Sequence, residues 1–301
     1  MDWKKLACML AIASFTFVGC GDDDGTDDGD GDTTMADMGT PEPLDCGECK
    51  FVASTLSVPV EEDSSPGTVD GFNLDETVTN EGDATGCGVQ DWTAPNGTTG
   101  VDNQLARLAP SIETLADLDL SATIEEALGD GSIVLLMQLE GVDSTIDSDV
   151  TLRLHLGAFP EGTETPVAVP LAAGGSYDIE MMDVVTANGQ IVNGVLDITV
   201  PSLPLSIPID DETSVNLTIN NAQVRATVSA SGLGNGLIGG SLNIDQLVMT
   251  VAAVGGDAIP PETARTVLQG FADLNEDPAT MECANLSVGL NFEGTTAVYG
   301  E

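Results

Sequence analysis

The sequence predicts an α+β chain in which strand dominates, built as an antiparallel β-sandwich or a curled, barrel-like sheet with a few short helices. Three observations carry this. Apolar and polar residues alternate over several separate stretches. Gly, Pro, Asn and Asp punctuate those stretches. Helical spacing is clear in only one place after residue 131, where Pro260 and Pro261 precede Ala264, Val267, Leu268 and Phe271.

The alternation is cleanest at Val150, Leu152, Leu154 and Leu156. It recurs at Leu196, Ile198 and Val200, at Leu203, Leu205, Ile207 and Ile209, and at Leu286, Val288, Leu290 and Phe292. One apolar and one polar face marks an antiparallel sheet with a packed side and a wet side. Pro201, Pro204 and Pro208 lack backbone donors, which sets the third stretch at a sheet edge. Apolar parity changes between Ile219 and Ala222, so one extra residue is needed, and a β-bulge is expected near Asn220-Asn221. A second change separates Leu242 and Ile244 from Leu247, Met249 and Val251, and reads as another bent strand. A further strand is expected near Phe72–Val78.

Two short helices precede the sheet. Asp102 is placed to cap Asn103–Ala109, which Pro110 would stop. Thr123-Ile124-Glu125-Glu126 fits a capping box, and Gly129-Asp130-Gly131 would end that helix.

The 301 residues carry 50 Asp and Glu against seven Lys and Arg, a formal charge of −43. With 42% hydrophobic residues the chain still has a core to bury, so it reads as a folded acidic protein. A field of that sign repels nucleic acid and favours cations.

Lys4 and Lys5 precede an apolar run, Leu6–Val18, too short to span a bilayer comfortably. Phe17-Val18-Gly19-Cys20 follows, and this resembles the lipobox of bacterial lipoproteins, in which the cysteine is acylated and becomes the first residue. Gly21–Gly39 then holds eight Asp with Gly and Thr and almost nothing to bury, so it repels itself and stays solvated. Such an Asp/Gly-rich spacer is similar to the tethers of myxobacterial-type surface lipoproteins. The resemblance implies lipidation at Cys20, a cell-envelope location and a membrane partner reached through the anchor. Gly21, rather than aspartate, leans toward the outer membrane. The expected division is a signal peptide at 1–19, an acidic tether at 20–45 and one β-rich domain at 46–301. Within that domain, 46–120 is rich in loops and 121–301 holds the main sheet. No family is recognised for the folded body.

Cys46, Cys49, Cys87 and Cys283 remain after the anchor, an even set in an oxidising compartment, and two structural disulfides are expected in any of three pairings. Asp273, Asn275, Asp277 and Glu282 alternate oxygen side chains around a turn and form the candidate calcium site, although the turn glycine of an EF-hand is absent. Gly234-Asn235-Gly236-Leu237-Ile238-Gly239 matches a dinucleotide fingerprint, but strand is expected after it, so it reads as a hairpin turn. His155 is the only histidine and reads as a surface residue. No catalytic residue is assigned, and no cofactor beyond calcium. The function expected is a non-catalytic binding or structural module, with an apolar-ligand carrier as the alternative and a hydrolase third. The protein or apolar ligand it would engage is not legible in these residues.

Overall fold

Long strands dominate the described chain, and an Asn-Gly turn at Asn193-Gly194 joins two of them. The computed structural model describes residues 41–61, 64–83, 85–116, 119–208, 214–255 and 260–300. The lipobox, Cys20 and the Asp/Gly-rich stretch to residue 39 lie outside the described residues.

The elements in order are β1 (Lys50–Ser57), β2 (Trp92–Thr93), β3 (Thr99–Val101), α1 (Leu105–Ala116), α2 (Leu120–Asp130), β4 (Leu135–Glu140), β5 (Asp147–Ala158) and β6 (Gly175–Ser176). They continue with β7 (Asp178–Val192), β8 (Val195–Pro208), β9 (Ser214–Ser229), β10 (Gly232–Asn243), α3 (Ile244–Gly255), α4 (Pro261–Gln269), β11 (Leu274–Asp277) and β12 (Glu282–Val298).

Eight strands pair antiparallel in the order β1-β4-β5-β7-β8-β9-β10-β12, and β12 pairs with β1 to close the ring. The curled, barrel-like alternative is therefore the one the chain adopts. Closure removes sheet edges. Among the described residues two junctions are short, β1–β4 and β7–β8, with three paired residues each. After the Asn193-Gly194 turn, whose two positive φ angles suit a tight hairpin, the strands pair over Val192–Gln190 and Val195–Asp197 alone. Beyond Asp197, β8 pairs with β9 and, among the described residues, has no ladder to β7, which accommodates Pro201, Pro204 and Pro208.

The described alternating residues face inward as expected, while Ile209 and the Ile207 side chain lie outside the described residues. Val150, Leu152 and Leu154 of β5 share one buried cluster with Leu196, Ile198 and Val200 of β8 and with Leu286, Val288 and Phe292 of β12. The expected slip is present: Asn221 has φ 48°, and the β9–β10 register shifts beside it. β8 changes phase opposite it, so Leu203 and Leu205 also point inward.

Helix α2 completes the core. Asp119 caps it through the Ala122 N–H at 2.9 Å, and Gly131 ends it at φ 87°. It thus starts earlier than the capping-box reading, because Asp119 outcompetes Thr123. Ile124, Ala127 and Leu128 join the inner cluster, and the helix touches β1 and β8, which stand across the ring from each other. It spans the lumen as a plug.

Four further expectations are corrected. Residues 244–255 are helix: Ile244, Leu247, Val248 and Val251 keep helical spacing, and Asn243 Oδ1 caps the Gln246 N–H at 3.2 Å. Pro110 lies inside α1 instead of ending it. Phe72–Val78 forms a single bridge, Phe72 to Asp102, and otherwise loops. Gly234–Gly239 sits within β10 as a bulged strand, with Asn235 at φ 48°, and the hairpin turn precedes it at residues 230–231.

His155 is also not at the surface. It is 3% exposed, edge-on to Tyr299 at 6.0 Å, because the 159–177 segment and Tyr299 cover the outer face of β4 and β5. The Tyr299 hydroxyl donates to the Met137 carbonyl at 2.9 Å.

Candidate functional site

The loop-rich residues 64–104 dock on the outer wall of β10 and β12, where glycine makes room. A Cβ at Gly239 would collide with the Phe72 ring, and one at Gly289 with the Asn103 amide. Asn103 Oδ1 accepts the Gly289 N–H at 2.9 Å, while its Nδ2 donates to the Asp70 carbonyl at 2.8 Å. The Trp92 indole donates to the Asn103 carbonyl at 3.0 Å.

Three carboxyl groups from distant parts of the chain lie within electrostatic range of one another under this docked segment. Asp102 follows β3 and is 1% exposed. Its Oδ2 accepts the Leu74 N–H at 2.6 Å and the Asp75 N–H at 3.3 Å, so it does not cap α1. Asp273 precedes β11 and is 3% exposed, accepting the Ser287 N–H at 2.8 Å and the Ser287 hydroxyl at 2.5 Å. Asp91, half-buried, accepts the Thr79 N–H at 2.6 Å, and its own N–H donates to the Thr79 carbonyl at 3.0 Å.

Burial disfavours the charged form. It pushes Asp102 up to about 8, with Asp273, Asp75 and Asp91 adding like charge against the opposing Leu74 N–H. Burial likewise pushes Asp273 up to about 7, although Ser287 donates twice to it. Asp91 is raised by the same cause. Perturbed carboxyls beside a cleft mark a candidate site.

The cleft, about 510 Å³, opens beside Asp91 and is lined by Glu61, Gly67, Gln90, Trp92 and Arg107 among others. The Arg107 guanidinium lies 4.0 Å over the Trp92 ring and donates to the Gln90 carbonyl and to Gln104 Oε1, the latter at 2.6 Å. The other described cations, Lys50, Arg153, Arg225 and Arg265, each pair with a carboxylate. Arg107 instead faces Asp91, Asp273 and Glu61 at longer range and serves them as a shared counter-charge. Both oxygens of Asp273 and one of Asp102 are spent on holding the fold. Asp91 alone reaches the cleft, so the arrangement can store a proton and bind a small polar group, but it presents no activated nucleophile among the described residues.

The cysteines form two disulfides, Cys46–Cys49 and Cys87–Cys283, with Cα atoms 4.9 Å and 6.0 Å apart. The second fastens the docked segment to β12. The four candidate calcium ligands do not converge. Asp273 turns inward to Ser287, Asn275 is exposed at φ 58°, and Asp277 Oδ1 accepts the Ala279 N–H at the turn to Glu282. No group of three His, Cys, Asp or Glu placed to hold a metal occurs among the described residues. Of the acid cluster, sequence reasoning singled out Asp273 as a metal ligand and Asp102 as a cap. Asp91, Arg107 and Ser287 carried no local signal, because their partners lie far away in the chain.

No protein-family model, curated protein or solved structure matches the chain.

Proposed function

We propose that this protein is a membrane-tethered lipoprotein of the cell envelope whose barrel acts as a rigid, non-catalytic binding or structural module. The observation that carries the reading of the body is the packed lumen: strand side chains and α2 occupy it as one apolar cluster. Two disulfides favour an oxidising compartment. The address rests on Lys4, Lys5, the Leu6–Val18 run and Gly19-Cys20, with the acidic stretch as spacer and the outer membrane as destination. One acyl chain holds a protein only marginally, so stable anchoring needs several on Cys20.

Membrane fractionation tests the address. The parent should partition with membranes and begin at lipidated Cys20, while Cys20→Ser should be soluble or unprocessed with its folded body unchanged. A Ser variant that fractionates and is cut as the parent does overturns it. The parted β7 and β8 favour one second reading, an apolar-ligand carrier entered at that seam. Mass spectrometry of organic extracts separates the two, since stoichiometric lipid would select the carrier.

A further inference from the structure

We propose that the open edge of β7, residues 178–189, docks an extended, basic segment of another protein, which adds to the sheet as a further strand. This rests on the reading of the body as a binding module and names what that module binds. Along this stretch β7 has a ladder to β5, and among the described residues nothing pairs with its other edge before Gln190. Such an edge presents a row of N–H and C=O groups to any chain that can lie beside it. The facing edge of β8 is poor for this, because Pro201, Pro204 and Pro208 lack donors, whereas residues 178–189 contain no proline. At the other short junction the β1 edge is already in use, since the Ser54 carbonyl accepts the Leu171 N–H at 3.1 Å.

The surroundings of the edge define what fits. β7 and β8 still touch at the hairpin end, where a Cβ on Gly189 would collide with Ile198, so the added strand lies toward Asp178. Val185 of β7 and Val200 and Leu203 of β8 belong to the inner apolar cluster, while Thr186 and Asn188 are exposed. An added strand therefore needs apolar side chains at alternate positions, turned inward. Its outward side chains run past Asp178 and Glu180, both exposed, and past Met181, 56% exposed. Arg153, opposite Thr186 on β5, is already paired with Glu140 at 2.9 Å. The edge thus favours lysine or arginine on its partner. The formal charge of −43 opposes a second copy of this chain. Main-chain pairing supplies the affinity, and alternation with charge supplies the selectivity.

Amide-resolved hydrogen exchange by NMR on the intact protein tests this. The probe is a short synthetic peptide of alternating lysine and valine, with a glutamate and valine counterpart as control. In the free protein the seam-facing amides of residues 178–189 should exchange freely, while those held by β5 are protected. The basic peptide at about ten times its Kd should slow the seam-facing amides about tenfold, and the acidic one should leave them fast. Asp178→Asn combined with Glu180→Gln should weaken the basic peptide about twofold or more. Seam-facing amides that are protected in the free protein overturn the proposal, because the edge is then already filled. So do amides that stay fast with the basic peptide, equal protection by both peptides, or an affinity unchanged in the double variant. Protection that appears without peptide and grows with protein concentration makes a second copy the occupant, and likewise overturns it. Lipid extraction is read separately, so the edge can fail while the module reading stands.

Discussion

Removing the Cys87–Cys283 bridge should cost this protein about three times as much stability as removing Cys46–Cys49. The two links close loops of very different length, with sequence separations of 196 and 3. In the chain-entropy account a cross-link restricts the unfolded chain by about 2.1 + 1.5R ln n cal/mol/K, which gives about 5 kcal/mol at 25 °C for the long loop and about 1.6 kcal/mol for the short one. Cys283 is buried beside β11 and Cys87 sits in the docked segment, so the long bridge also joins two parts that otherwise touch through side chains and the acid cluster. Paired alanine substitutions, followed by equilibrium urea unfolding at fixed pH, measure both costs. Against a usual domain stability of about 5–15 kcal/mol, the long-loop variant should be marginal. Equal costs for the two pairs, or a cost below about 1.5 kcal/mol for Cys87 and Cys283, would refute the reasoning. Either result would mean that the unfolded chain is already compact around residues 87 and 283.

The acid cluster makes global stability rise as pH falls. Between their ordinary value near 3.8 and their raised values of about 7 and 8, Asp273 and Asp102 hold protons that the unfolded chain releases, so each adds about 1.4 kcal/mol of stability per unit of acidification. Urea midpoints from pH 8.5 down to 5 should therefore increase, and a decrease contradicts the assignment. Leu128→Ala, in the plug helix, should lose about 2–5 kcal/mol in the same unfolding assay, whereas a loss under about 1 kcal/mol would mean that α2 lies outside the core.

Residues with one wet and one packed face were legible in advance. β5, β8, β9 and β12 show this, and the parity slip at Asn220-Asn221 located a real bulge. β1 was silent for the opposite reason. Phe51 and Ala53 pack inward while Val52 packs into the outer cluster, so no alternation survives. β7 carries few buried side chains, and its Asn193-Gly194 turn was the better signal. Residues 244–255 misled because Leu247, Met249 and Val251 alternate, yet Met249 is 75% exposed and Val248 is buried, which only a helix explains. The acid cluster is harder still. Nothing local distinguishes Asp91 among 50 acidic residues, Asp102 reads locally only as a cap, and only long-range closure brings them near Asp273.

The strand that closes the ring has a consequence for how the protein is made. β12 pairs with β10, β11, β6 and β1, and the ring shuts along the ladder that runs from Phe51–Thr296 to Ser57–Asn291. A growing chain that has emerged through β10 holds an open, curled sheet whose two edges have no partner. Pairing across that sequence distance is slow, and exposed edges invite other chains. Folding of the ring thus lags synthesis, because its last ladder forms only after β12 is released.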